Sequence, residues 1–302
     1  MSETLVQGRG ISPGRRIIVL VWAMVLTVAP CIAGLAVLAL AKITGAFTVH
    51  LAPPSLRFNF ALGDAPLIAF AAMALALGAY ILLVRLGEKR WPSELARASA
   101  IPELSLGIAA AALAFGLLMG VLTLSGAVVW RAPATVDWRW ALADGLFQGA
   151  FGGLLLGLVV QGAIARLGSK ALGPVVGVAL AALSTAWLVS PEWSLPPTQR
   201  VNAALGGAVL GLLWLRRQRL WLGLGLSMGW GALSGAVIGT YALVCTDDPA
   251  GTSIYEPGRG VLIAWLRGAS GPEGSAPLLI GCVLAVAFLA WRAWKEGCFS
   301  RA

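Results

Sequence analysis

The sequence predicts an all-α polytopic membrane protein, a bundle of about eight transmembrane helices, on three observations. Hydrophobic residues make up 59% of the 302 positions and charged residues only 12%, against about 45–50% and about 25% in soluble domains. The mean hydropathy is +0.85, more than a water-soluble core of this size can hide. Apolar stretches close to the roughly 20 residues needed to cross a hydrocarbon core of about 30 Å recur along the whole chain.

Taken in order, the stretches run Ile17 to Ala41, Pro66 to Val84, Leu104 to Trp130, Ala141 to Ala165, Ala171 to Val189, Val201 to Leu215, Leu220 to Cys245 and Pro277 to Trp294. The first is too long for a signal peptide and ends without a small-residue cleavage pattern, so it is expected to stay as a span. The sixth, Val201 to Leu215, is short, and would cross only a thinned or protein-shielded part of the bilayer. Lys and Arg number 22 against 13 Asp and Glu, a net charge of +9. With the N-terminus inside, the outer connections hold only Lys42, Arg57, Arg131, Arg139, Arg200, Arg259 and Arg267, and the remaining basic residues fall inside. That asymmetry fits a multi-pass protein of the bacterial inner membrane with both termini cytoplasmic. Trp130, Trp138, Trp140 and Trp193 stand where an aromatic belt belongs.

Two outer connections are long. Thr44 to Ala65 reads as an interfacial excursion, and within Thr246 to Ala276 the apolar piece Val261 to Leu266 is too short to cross and is expected at the headgroups. No basic run interleaved with aromatics points to nucleic acid, so the partners expected are the lipid bilayer and a membrane protein or hydrophobic ligand. Cys31, Cys245, Cys282 and Cys298 form no C-x-x-C, and His50 is the single histidine, so no metal and no cofactor is expected.

Spans four and seven carry glycine ladders: Gly145, Gly149, Gly153 and Gly157 on one face of the former, and Gly225 with Gly229, and Gly231 with Gly235 and Gly239, on two faces of the latter. Small residues let helix backbones approach in lipid, so tight internal packing is the expected role. Polar candidates within the spans are Asp144, Gln148 and Gln161; Thr185, Ser227, Ser234 and Thr240 can return their hydroxyls to the preceding turn. No Glu, Lys or His falls inside a span, so an interior without a proton donor or acceptor is expected.

The stretch GLLLGLVVQGAIARLG, Gly153 to Gly168, and the stretch VNAALGGAVLGLLWLRRQRLWLGLGLSMGWG, Val201 to Gly231, resemble the motif helices of the CPBP family of intramembrane metalloproteases, also called the ABI or CAAX-protease family. The resemblance runs from about Arg90 to the C-terminus. It implies a cytoplasmic segment 1–16, two helices with an outer loop in 17–100, a CPBP-like six-helix core in 101–294 and a cytoplasmic tail 295–302. Family members carry Glu-Glu-x-x-x-Arg, Phe-x-x-x-His and His-x-x-x-Asn to activate water. Here those positions fall on Leu156, Gly157 and Gln161, on Leu183 and Trp187, just ahead of Ser190 and Pro191, and on Ser227 and Gly231. None is a base suited to neutral pH or a usual metal ligand.

The resemblance with these replacements implies a non-catalytic scaffold, assembly or accessory subunit for another membrane protein. Some plant relatives are non-proteolytic chaperones of chlorophyll enzymes, so a pigment-containing complex is among the partners it implies. The alternative is an intramembrane endopeptidase of the CAAX or bacteriocin-processing type, working through Asp144 and Ser227. A transporter would need broken helices and paired charges near the midplane, which the sequence lacks.

Overall fold

The computed structural model describes residues 13–43, 47–52, 55–60, 65–130, 145–146, 152–189, 196–238, 255–257 and 271–300. Helix dominates them, as it must where lipid offers no hydrogen-bond partner to a bare backbone. Helix α1 spans Pro13–Ile43, α2 Ala65–Gly87 and α3 Ala100–Leu124. Helix α4 continues through Leu154–Gly157, Leu158–Ala165 and Arg166–Leu172. Then come α5 (Pro174–Val189), α6 (Pro197–Arg217), α7 (Trp221–Ile238) and α8 (Ala276–Lys295). Among the described residues, five segments are long and apolar enough to cross a membrane: Gly14–Gly34, Ala69–Gly87, Ser93–Leu124, Leu154–Leu172 and Ala276–Lys295.

Large apolar side chains point outward along these helices, with Ile18 68%, Leu113 67% and Leu284 64% exposed. In water such a surface would aggregate; against lipid it is the favourable arrangement. The helices differ in how enclosed they are. The apolar window of α8 is 6% buried and that of α4 72%, so α4 is an interior helix.

Helix α3 packs along α7, α5 along α6, α1 along α2, and α8 along α6. The principal core joins Leu26 of α1 and Tyr80 of α2 to Leu158 of α4, Leu210 of α6 and Leu224 of α7. The first two helices therefore share one core with the rest. A smaller core sets Phe115 of α3 edge-on to Trp230 of α7, with ring centroids 5.5 Å apart.

Several boundaries differ from the expected ones, each for a local reason. The third stretch stops at Leu124 because Gly126, at φ +72°, ends the helix with Gly126 N–H bonded to Thr123 O and Ala127 N–H to Leu122 O, a glycine-terminated reversal. Its apolar remainder becomes a short strand, Val128–Trp130, paired antiparallel with Tyr255–Pro257. The fourth helix passes Ala165 and continues to Leu172, where Gly173 at φ +97° turns the chain into α5. The sixth is not short: it has 21 residues, about 31 Å at 1.5 Å per residue. Pro197 starts it at a position that needs no N–H, and Gln199 and Arg200 ahead of Val201, with Arg216 and Arg217 after Leu215, extend it beyond what hydropathy detects. Within the first long connection, Phe47–Ala52 and Ser55–Phe60 form an antiparallel hairpin with His50 opposite Arg57. Residues 261–266 lie outside the described residues.

Candidate functional site

The middle of α4 is π-helical over Leu158–Ala165, a widened turn often found at functional positions. Its effect at the lower end is specific. The backbone N–H of Arg166 bonds to Gln161 O and Ala163 O and bypasses Gly162 O. That carbonyl instead accepts from Arg166 Nε at 2.7 Å and from the Tyr80 hydroxyl at 3.2 Å. Gly162 has no side chain to obstruct this, since a Cβ there would lie 2.9 Å from the Tyr80 ring.

Around that carbonyl the structure assembles a buried ion network. Arg166, 1% exposed, grips Glu88 in a fork with bonds of 2.8 and 2.5 Å, the bidentate geometry that suits guanidinium to carboxylate. Arg90 donates to Glu88 at 2.8 Å and to both oxygens of Glu94 at 2.8 and 3.1 Å. Tyr80 donates to Glu94 at 2.9 Å, Trp22 of α1 to Glu88 at 3.3 Å, and Leu220 N–H to Glu94 O at 3.0 Å. Two acids and two arginines thus balance in charge while tying together α1, α2, α4 and the turn between α6 and α7.

This corrects the expectation of an interior without titratable groups: Glu94 is 2% and Tyr80 0% exposed. Sequence reasoning missed the cluster because Glu88, Arg90 and Glu94 lie between apolar stretches and Arg166 lies just beyond one. A polar run rich in both Glu and Arg beside Pro92 was the available signal.

Burial alone would raise the Glu88 carboxyl. The hydrogen bonds and charge of Arg166, followed by those of Arg90, outweigh it and hold the group at about 2 against an ordinary 4.5. The same contacts raise Arg90 despite its burial, through Glu94 first and then Glu88. A carboxyl depressed by folding contributes stability above its unfolded pKa and loses it as pH falls toward the folded value. The protein is therefore expected to lose about 2 kcal/mol between pH 4.5 and 2 through Glu88, after allowance for solvent screening. Glu88→Gln should flatten that part of the stability profile in detergent; an unchanged acid limb in the variant would dismiss the assignment.

The structure brings some motif positions together and leaves others apart. Gly157 lies against Leu224 and Ser227 of α7, where a Cβ would be 2.6 and 3.0 Å away. Ser227 directs its hydroxyl to Gly153 O at 2.7 Å, with Gly223 O at 3.0 Å. Gln161, fully buried, donates Nε2 to Leu210 O at 3.1 Å, and its Oε1 accepts no hydrogen bond. Gly223 leaves room for that amide, since a Cβ would collide with it. Leu156 is partly buried against the principal core, and Gly231 is a partly buried position of α7.

The second motif position is not interior. Leu183 is 67% and Trp187 54% exposed on the outer face of α5, while Ala181 and Thr185 face inward at 0% and 4%. Gly207 and Gly211 of α6 receive that inner face, and Thr185 returns its hydroxyl to Ala181 O at 2.8 Å. Trp187 therefore fills no interior space. An apolar groove of about 570 Å³ lies between α3 and α7, lined by Phe115, Gly116, Met119, Trp130 and Leu233 among others; no motif position lines it.

The glycine ladders pack helices. Gly145 faces Ala232 and Ala236, and Gly153 faces the Ser227–Met228 backbone, so both of these ladder positions of the fourth span lie on α7. Gly225 and Gly229, on another side of α7, meet Leu104, Gly107, Ile108 and Ala111 of α3. Gly235 is buried. Asp144, Gln148, Gly149, Gly239 and Thr240 lie outside the described residues. Among the described residues no group of three His, Cys, Asp or Glu side chains is placed to hold a metal ion. Comparison with models of known protein families, with curated proteins and with solved structures finds no match in any of the three.

Proposed function

We propose that the chain is a non-catalytic, CPBP-like protein of the bacterial inner membrane that serves as a scaffold, assembly or accessory subunit for another membrane protein. One observation carries the reading. Gly157, Gln161 and Ser227, the motif positions that converge between α4 and α7, are engaged in joining helices to one another. A glycine, an amide bonded to a carbonyl and a hydroxyl bonded to carbonyls supply no base near neutral pH. What remains is a close-packed bundle whose outward apolar faces can meet a partner helix.

Eight crossings with both termini cytoplasmic belong to this reading. Supporting them are the uneven distribution of the 22 basic residues and the 21-residue length of α6. The test is recovery of the tagged full-length chain from its native membrane in mild detergent, at native expression level, with mass spectrometry of what accompanies it. A membrane protein in fixed proportion is expected. Recovery of this chain alone at every expression level tried would defeat the proposal. Tags at both ends should be digested by protease only after the inner face is opened.

A further inference from the structure

We propose that the elbow joining α2 to α3 holds an anionic phospholipid, with Arg85 taking the headgroup phosphate while the exposed apolar face of α2 carries the acyl chains. Leu75, Leu82 and Leu86 follow one another at seven- and four-residue spacing and are all exposed, so they form one outward stripe of the helix. Gly78, on the same side, has no atom within 4 Å of the point where a Cβ would stand. Arg85 follows Leu82 by three residues and Gly78 by seven, so it closes that stripe in the last turn of α2. The apolar span ends two residues later at Gly87. A cation so placed emerges on the side that faces hydrocarbon, at its polar boundary.

Local structure holds the guanidinium there. The chain leaves α2 through Lys89, whose left-handed backbone at φ 51° turns it, and the ring of Trp91 comes to lie against Arg85, with Cζ 5.0 Å from the ring centroid. The indole attracts the cation through its ring face. It is itself 63% exposed, the setting of a tryptophan at a membrane boundary. Among the described residues no carboxylate pairs with Arg85 and no carbonyl accepts from it. Its N–H groups are therefore available, and their planar fork matches two oxygens of a phosphate.

The charge of the elbow selects an anionic lipid. Its two acids, Glu88 and Glu94, are both taken up by Arg90 and Arg166. That leaves Arg85, Lys89 and Arg97 exposed along the segment with no acid of the elbow to offset them. Such a surface favours a headgroup of net negative charge over a zwitterionic one. A soluble anion would meet the same charge but gain nothing from the apolar stripe. Lipid held in this way requires only a membrane around α2, whatever partner the protein has.

Native mass spectrometry of the full-length protein in detergent, titrated with phosphatidylglycerol or with phosphatidylcholine of identical acyl chains, tests the site. The first phosphatidylglycerol is expected to bind more tightly than phosphatidylcholine, and Arg85→Gln should reduce that preference about fivefold. Arg217→Gln, which removes an exposed arginine at the end of α6, should leave the preference unchanged. Inorganic phosphate in large excess should not displace the lipid. Equal affinity of the unaltered protein for the two lipids would overturn the proposal. So would a preference that survives whole in Arg85→Gln, or one that Arg217→Gln lowers as much, which would mark a diffuse field in place of a site. Displacement by inorganic phosphate would do the same, by revealing a site for a soluble anion.

Discussion

Arg166→Met is expected to cost about 3–5 kcal/mol of stability, the price of leaving a buried charge without its partner. Arg166 is 1% exposed and forks onto Glu88, with Glu94 at 3.4 Å. Without it, Arg90 alone faces two acids in a site closed over by Tyr80 and Trp22. Adding Glu88→Gln to Arg166→Met removes a negative charge along with the positive one. The double variant should recover a substantial part of the loss, because replacing both members of a buried pair is often close to neutral. Denaturant unfolding in detergent, read by tryptophan fluorescence, measures all three proteins. A double variant as unstable as Arg166→Met would show that packing around the guanidinium, and not charge balance, is what matters.

Gly107→Val is expected to abolish the folded bundle, while Gly116→Val on the same helix is expected to be tolerated. A Cβ at Gly107 would lie 2.7 Å from Leu226 N and 2.9 Å from Gly225 C. These are backbone atoms of α7 that cannot swing aside, and relief requires the two helices to part. Overpacking of this kind costs about 3 kcal/mol or more, and here it strikes where small residues alone permit close approach. Gly116 has no atom within 4 Å of the corresponding point. The monodisperse fraction on size exclusion after detergent extraction is the measurement. Loss of folded protein with both variants would mean that α3 tolerates no added bulk at its glycines whatever they face, and would remove the α3–α7 contact as the explanation.

The contrast between these two glycines shows what a sequence does and does not disclose about such a fold. Hydropathy locates α8 well, with Pro277 to Trp294 expected and Ala276–Lys295 observed, because an outward helix flanked by polar residues is defined by composition alone. It fails for the start of α6 and the end of α4, where Gln199 and Arg166 remain helical because protein, not lipid, surrounds them. Facing is harder still. When lipid is as apolar as the core, a helix shows little amphipathic contrast, so Trp187 and Thr185 cannot be sorted by hydrophobicity. Size sorts them: Gly177, Ala181 and Thr185 repeat every fourth residue and face protein, while Leu183 and Trp187 face out. The glycine ladder of α4 reveals a packing face in advance but not that α7 is its partner. The ion network depends on four segments meeting, which no local pattern encodes.

The position of α4 also bears on how the chain is built at the ribosome. Its charged end finds Glu88 and Glu94 already synthesised, so that end can be fastened as soon as Arg166 emerges. Its glycine face is made for α7, which is translated some fifty residues later. During that interval the most enclosed of the five apolar spans has one flank waiting, and whatever attends the nascent chain shelters a surface that the finished bundle covers.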